Sequence, residues 1–171
     1  MTDNAWGQVD GGARKLIPVL TALVLILLAH TPMHLPGFST ITPLLGLMAI
    51  YHWTLHRPDL VPSIAIFALG LVTDALSGAP FGTNALVFLG VYGVVLAQRR
   101  FFHKKSFAVL WAAFLPITAA AAFLYWLLFM AMTRTLIDPA PLVFQVGITG
   151  ALYPLVYYAL AVAQRSLIER S

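Results

Sequence analysis

Gly70-Leu71-Val72-Thr73-Asp74-Ala75-Leu76-Ser77-Gly78-Ala79-Pro80-Phe81-Gly82-Thr83-Asn84 joins two apolar runs through a tight turn. A carboxylate stands about one helical turn before the break, and two glycines and a proline make the break itself. Glycine permits positive φ and close backbone approach, and proline stiffens the bend. Thr83 or Asn84 is placed to cap the helix that follows. The stretch lacks the Gly-Lys-Ser/Thr of a Walker loop, so phosphate-loop chemistry is excluded. What it predicts is two helices packed side by side.

The chain around it is built of the same material. Of 171 residues, 60% are hydrophobic and 9% are charged, and the mean hydropathy is +0.87. A soluble domain carries about 25% charged residues, so this composition excludes a water-soluble enzyme and a nucleic-acid-wrapping chain and points to an integral membrane protein. The net charge of +4 fits cytoplasmic loops rich in Lys and Arg. With no cysteine, disulfides and thiolate metal sites are excluded.

Six apolar segments follow, over 16–35, 42–56, 60–77, 83–98, 107–132 and 141–164. A polar, disordered tail is expected over 1–15, a single six-helix transmembrane domain over 16–164 and a short cytoplasmic tail over 165–171. The first segment ends in Ala29-His30-Thr31-Pro32 without a small-x-small cleavage site, so it reads as a retained helix closed by Pro36-Gly37. Pro43 suits the first turn of the second. His56-Arg57-Pro58-Asp59 and Asp138-Pro139-Ala140-Pro141 read as loops. Six spans put both termini on one side, and the charges say which. Arg14, Lys15, Arg57, Arg99, Arg100, Lys104, Lys105, Arg165 and Arg170 fall at one set of ends and only Arg134 at the other, which makes the first set cytoplasmic. The second and fourth segments are short for a full span. A re-entrant hairpin of segments three and four would give the same charge pattern.

Asp74 is the most informative residue, since a charge inside the bilayer is costly. Its neighbours at helical spacing are Gly70, Leu71, Ser77 and Gly78, with Ser63 and Phe67 further along the face. Capping of the turn that reaches Asn84 is the preferred role, and a binding or packing node facing the bundle interior is the alternative. His30 with His34 and His52 with His56 are spaced i, i+4, as in some zinc sites. Neither pair has a third ligand in sequence, so no metal is expected, and the imidazoles are placed at the interfaces with their tips in water. Tyr51, Trp53, Trp111, Tyr125 and Trp126 read as aromatic belts. Tyr153, Tyr157 and Tyr158 surround Pro154, where helix packing is preferred to a groove. Arg99, Arg100, Lys104 and Lys105 read as a basic loop that sets topology or meets anionic lipid headgroups. No nucleophile–base pair, carboxylate pair or cofactor motif is present, so no enzymatic activity is expected. His30 and Asp74 are near enough in this layout to meet at the outer face.

Tyr51-His52-Trp53, Arg57-Pro58, Gly70-Leu71, Asp74, Ser77-Gly78, Pro80-Phe81-Gly82 and Asn84-Ala85-Leu86 stand in an order and spacing that resembles the rod shape-determining protein MreD family. The likeness covers about 49–100; Phe81 stands where Leu is expected. It implies a six-helix bundle similar to the substrate-binding subunits of energy-coupling-factor transporters. It also implies a non-catalytic, multi-pass scaffold of the bacterial cytoplasmic membrane, supporting peptidoglycan synthesis and cell shape. The implied partners are single-span MreC, MreB filaments, a SEDS glycosyltransferase and a class B penicillin-binding transpeptidase, with no cofactor and no nucleic acid. Small-residue faces at Ser63-Gly70-Asp74 and at 119–122 are expected to receive a partner helix. The alternative is a small-molecule-binding membrane protein, with Asp74, Asn84 and His30 facing the interior.

Overall fold

A helix that is apolar on every side has no face to give to water and belongs in lipid or inside a bundle. α2 (Leu45–His56) is such a helix: every residue from Gly46 to Thr54 is buried. It packs against α1 (Asp3–His30), α4 (Thr83–Phe102) and α6 (Ala140–Ile168). α3 (Ser63–Ser77) lies along α4, and α5 (Phe107–Thr133) packs on α4 and α6. The computed structural model describes residues 3–31, 42–102 and 105–168, and the side chains of 16–31, 42–102 and 105–165. Among the described residues there is no strand, and three helical stretches, Thr83–Phe102, Phe107–Thr133 and Ala140–Arg165, are long and apolar enough to cross a membrane.

Several expectations shift. α1 is helical back to Asp3, through residues expected to be disordered, and it ends at His30. His34 and the expected stop at Pro36-Gly37 lie outside the described residues. Pro43 precedes α2 instead of opening it; its carbonyl accepts Leu45 N–H at 2.9 Å. α4 is not short. It carries Arg99 and Arg100 in its own last turn, where cations favour the negative end of the helix dipole. Arg99 and Arg100 are thus helical, Lys105 is outside the helix, and Lys104 lies outside the described residues. α6 starts at Ala140, within the expected loop: prolines are tolerated in a first turn, and Asp138 Oδ1 accepts Ala140 N–H at 3.0 Å.

Lipid rewards no helix for hiding its apolar side chains, so association rests on close packing and hydrogen bonds. Both occur around α2. A Cβ at Gly46 would lie 2.7 Å from Ile26 Cγ1, so glycine sets the approach of α1. Trp53 Nε1 donates to Thr21 Oγ1 at 2.9 Å, tying α2 to α1. Tyr51 OH donates to Leu110 O of α5 at 3.0 Å. Tyr51, Phe114 and Tyr153 share one aromatic cluster, with Phe114 and Tyr153 stacked at 4.2 Å. Tyr51 and Trp53 are therefore interior residues, not an interfacial belt, and Tyr153 fills the core without opening a groove. His52 is also interior. Its ring stacks on His56 at 4.4 Å with Tyr157 edge-on, so its tip does not reach water.

Pro154 has no N–H, so in α6 it leaves the carbonyl of Gly150 without its helical donor. Trp111 Nε1 of α5 supplies one at 2.9 Å. The defect in one helix becomes the address of the next. Trp111→Phe is expected to cost about 1–3 kcal/mol in thermal unfolding of the purified protein, because the carbonyl is left unmet. Adding Pro154→Ala restores a backbone donor and should recover most of that loss; a double variant as unstable as the single one would refute the pairing.

Candidate functional site

The α3–α4 hairpin brings together most of the residues singled out in the sequence. α3 ends at Ser77, and Gly78 takes the left-handed conformation that closes it, at φ 67°. Gly82, at φ 96°, makes the second reversal before α4. Pro80 O accepts both the N–H and the hydroxyl of Thr83, at 3.2 and 2.8 Å. Leu86 N–H reaches Gly82 O at 2.9 Å.

Asp74 holds this turn. Its side chain is 0% exposed. Oδ2 accepts Gly82 N–H at 2.8 Å; Oδ1 accepts Asn84 N–H at 2.8 Å and the Asn84 amide at 2.9 Å. The buried carboxylate here meets backbone donors at the positive end of α4. This is cap geometry, reached across the hairpin from the preceding helix. The carboxylate is taken up by α4, while His30 Nδ1 lies 2.8 Å from its own Ile26 O, so the two do not pair as the sequence layout allowed.

Gly70 fixes how close the helices come. A Cβ there would lie 2.3 Å from Ala85 Cα and 2.6 Å from Ala85 N, both rigid backbone atoms. Gly70 and Asp74 thus face α4, and Ala121 and Ala122 are buried too, so these parts of the small-residue stripes expected to receive a partner serve packing within the chain. Ser63, Ala119 and Ala120 remain exposed. Ser77 donates weakly to Asp74 O at 3.4 Å, and Phe81 projects from the turn.

The other candidates lie elsewhere. Arg57 and Pro58 stand at the far end of α3, in the turn before it, where Pro58–Leu60 form one 3-10 turn and Arg57 pairs with Asp59 at 3.8 Å. That exposed pair contributes little. Arg99 and Arg100 share this end, since α4 returns antiparallel to α3. Among the described residues no three His, Asp or Glu side chains gather as a metal-binding group.

A second feature lies beside the hairpin, and it includes His30 and Asn84, two of the three residues that the small-molecule alternative turned toward the interior. The ends of α1, α3 and α4, the approach to α2 and the flanks of α5 and α6 border an open cavity of about 1070 Å³, which Ser77 and Asn84 line. Gln145 Nε2 donates to Thr42 O at 2.8 Å, and Leu44 N–H to Thr149 Oγ1 at 3.1 Å, pinning α6 to the approach of α2. These partners are about a hundred residues apart, and only the fold joins them.

The family model for the rod shape-determining protein MreD matches residues 13–165. The chain belongs to the MreD family. The match takes in the apolar part of every helix, well beyond the central stretch that carried the resemblance. No curated protein and no solved structure matches the chain. The MreD family is one of shape-determining membrane proteins, and membership connects this chain to rod shape determination.

Asp74→Ala leaves one buried and one part-buried backbone N–H, and a buried amide, without an acceptor. An expected loss of about 3 kcal/mol, read by thermal unfolding in mild detergent, follows from that count. Gly70→Ala is expected to lose about 1–3 kcal/mol through overpacking. Wild-type stability of both variants would rule out the clasp as a structural element.

Proposed function

We propose that this MreD-family chain is a non-catalytic scaffold of the bacterial cell-elongation machinery. It sits in the cytoplasmic membrane as six spans with both termini inside, binds single-span MreC, and works beside MreB, a SEDS glycosyltransferase and a class B penicillin-binding transpeptidase in peptidoglycan synthesis. The observation that carries this reading is the family match over 13–165. It is supported by how the polar residues are used: Asp74, Asn84, Tyr51, Trp53 and Trp111 all hold helices to one another.

The six-span topology has a physical rationale even for α2. Twelve residues of helix reach only about 18 Å, against a hydrocarbon core of about 30 Å. A helix sheathed by α1, α4 and α6 has protein around its ends instead of lipid, and a short span is tolerated there. The likeness to the substrate-binding subunits of energy-coupling-factor transporters is part of the same proposal and rests on the six-helix layout. Arg99, Arg100, Lys104 and Lys105 orient the chain and meet anionic headgroups at the cytoplasmic face. With Gly70, Asp74, Ala121 and Ala122 turned inward, the surface left for a partner helix is outward and apolar, as at Phe144, Leu155 and Tyr158 of α6.

Depletion in a rod-shaped host is expected to round the cells, and affinity purification in mild detergent to recover a single-span partner. Cells that stay rod-shaped after clean depletion would overturn the proposal.

A further inference from the structure

We propose that the cavity beside the α3–α4 turn binds an uncharged amphiphile whose head group carries hydroxyl or amide groups. In the topology proposed above the cavity opens toward the extracytoplasmic side, but the binding inference does not rest on the scaffold role.

The volume, about 1070 Å³, is at the upper end of the 300–1,000 Å³ typical of ligand pockets. Its apolar part includes Ile26, Phe88 and Ala122, contributed by three different helices. A polar solute would leave this surface without contacts. Among the described residues no Lys, Arg, Asp or Glu lines the cavity. A phosphate or carboxylate head would therefore enter a low-dielectric space with no cationic partner, which is costly.

Polar side chains also line it, Asn84, Tyr125 and Gln145 among them. His30 Nδ1 lies 2.8 Å from Ile26 O, which can only accept, so Nδ1 carries a proton. The Gln145 amide nitrogen donates to Thr42 O, which leaves Oε1 as an acceptor. The Asn84 amide nitrogen donates to Asp74, which leaves its own Oδ1. The Gln145 and Asn84 amides thus keep an acceptor oxygen and a second N–H each, and the chemistry that answers both without charge is a hydroxyl or amide head on an apolar body.

The test uses the full-length chain in mild detergent and three probes that share one acyl chain: 1-monoolein, methyl oleate and oleate. Retention is read by native mass spectrometry. Monoolein is expected to be held about tenfold more tightly than methyl oleate, the worth of one to two hydrogen bonds, and oleate least of all. Ala122→Phe, which fills the cavity, should abolish monoolein retention. Gln145→Leu should lower it to the level of methyl oleate, and Leu155→Ala, on the outward face of α6, should change nothing. Thermal unfolding checks each variant; if Ala122→Phe does not fold, Gln145→Leu decides. Equal retention of the three probes, preference for oleate, no retention of monoolein, or wild-type retention by a folded Gln145→Leu variant each overturns the proposal. None of these outcomes bears on the cell-rounding experiment, so the two readings fail separately.

Discussion

A turn between two helices at a membrane face presents backbone N–H groups that hydrocarbon cannot satisfy. In this protein one carboxylate meets that demand. Asp74 reaches over the end of its own helix and takes up Gly82 N–H and Asn84 N–H at the start of the next. Because those donors sit at fixed positions on α4, the bonds set the register of the hairpin as well as satisfying it. Gly70 then falls opposite Ala85, where only a missing Cβ allows contact. The α3–α4 pair so formed presents Phe88, Val91 and Val95 to the interior, where α2 also lies.

The remaining helices are located by the same logic. Hydrocarbon gives apolar side chains little reason to prefer protein over lipid, so specific addresses matter more than buried area. Trp53 finds Thr21, Tyr51 finds Leu110, and Trp111 finds the carbonyl that Pro154 leaves open. Each is a single long-armed donor spanning a helix pair. The aromatic cluster of Tyr51, Phe114 and Tyr153 fills the space these bonds define.

Much of this was legible in the residues. Asp74, Gly78, Gly82 and Asn84 announce a capped turn, because scarce charge in an apolar run and paired glycines have few other uses in a membrane. The positions of the six apolar segments follow from hydropathy alone. The burial of Tyr51, His52 and Trp53 was not legible. An aromatic near a helix end has the same signature in an interfacial belt as in a core, and only the neighbours of α2 tell them apart. The end of α4 was misjudged for a related reason: Arg99 and Arg100 read as a loop by charge, whereas a helix continues readily through arginine into the headgroup layer. The α6 wall of the cavity was out of reach, since Thr42 and Gln145 become neighbours only when α6 is laid against the approach to α2.

The sheathing of α2 has a consequence for how the chain is made. Helices leave the ribosome in order, and α2 is made long before α6 exists. Until then a 12-residue segment carrying His52 and Thr54 lacks part of its protein wall. Its final packing therefore waits for α6, so that folding ends with an enclosure step. A chain interrupted before α6 would leave an incomplete bundle with α2 unsheltered on one side.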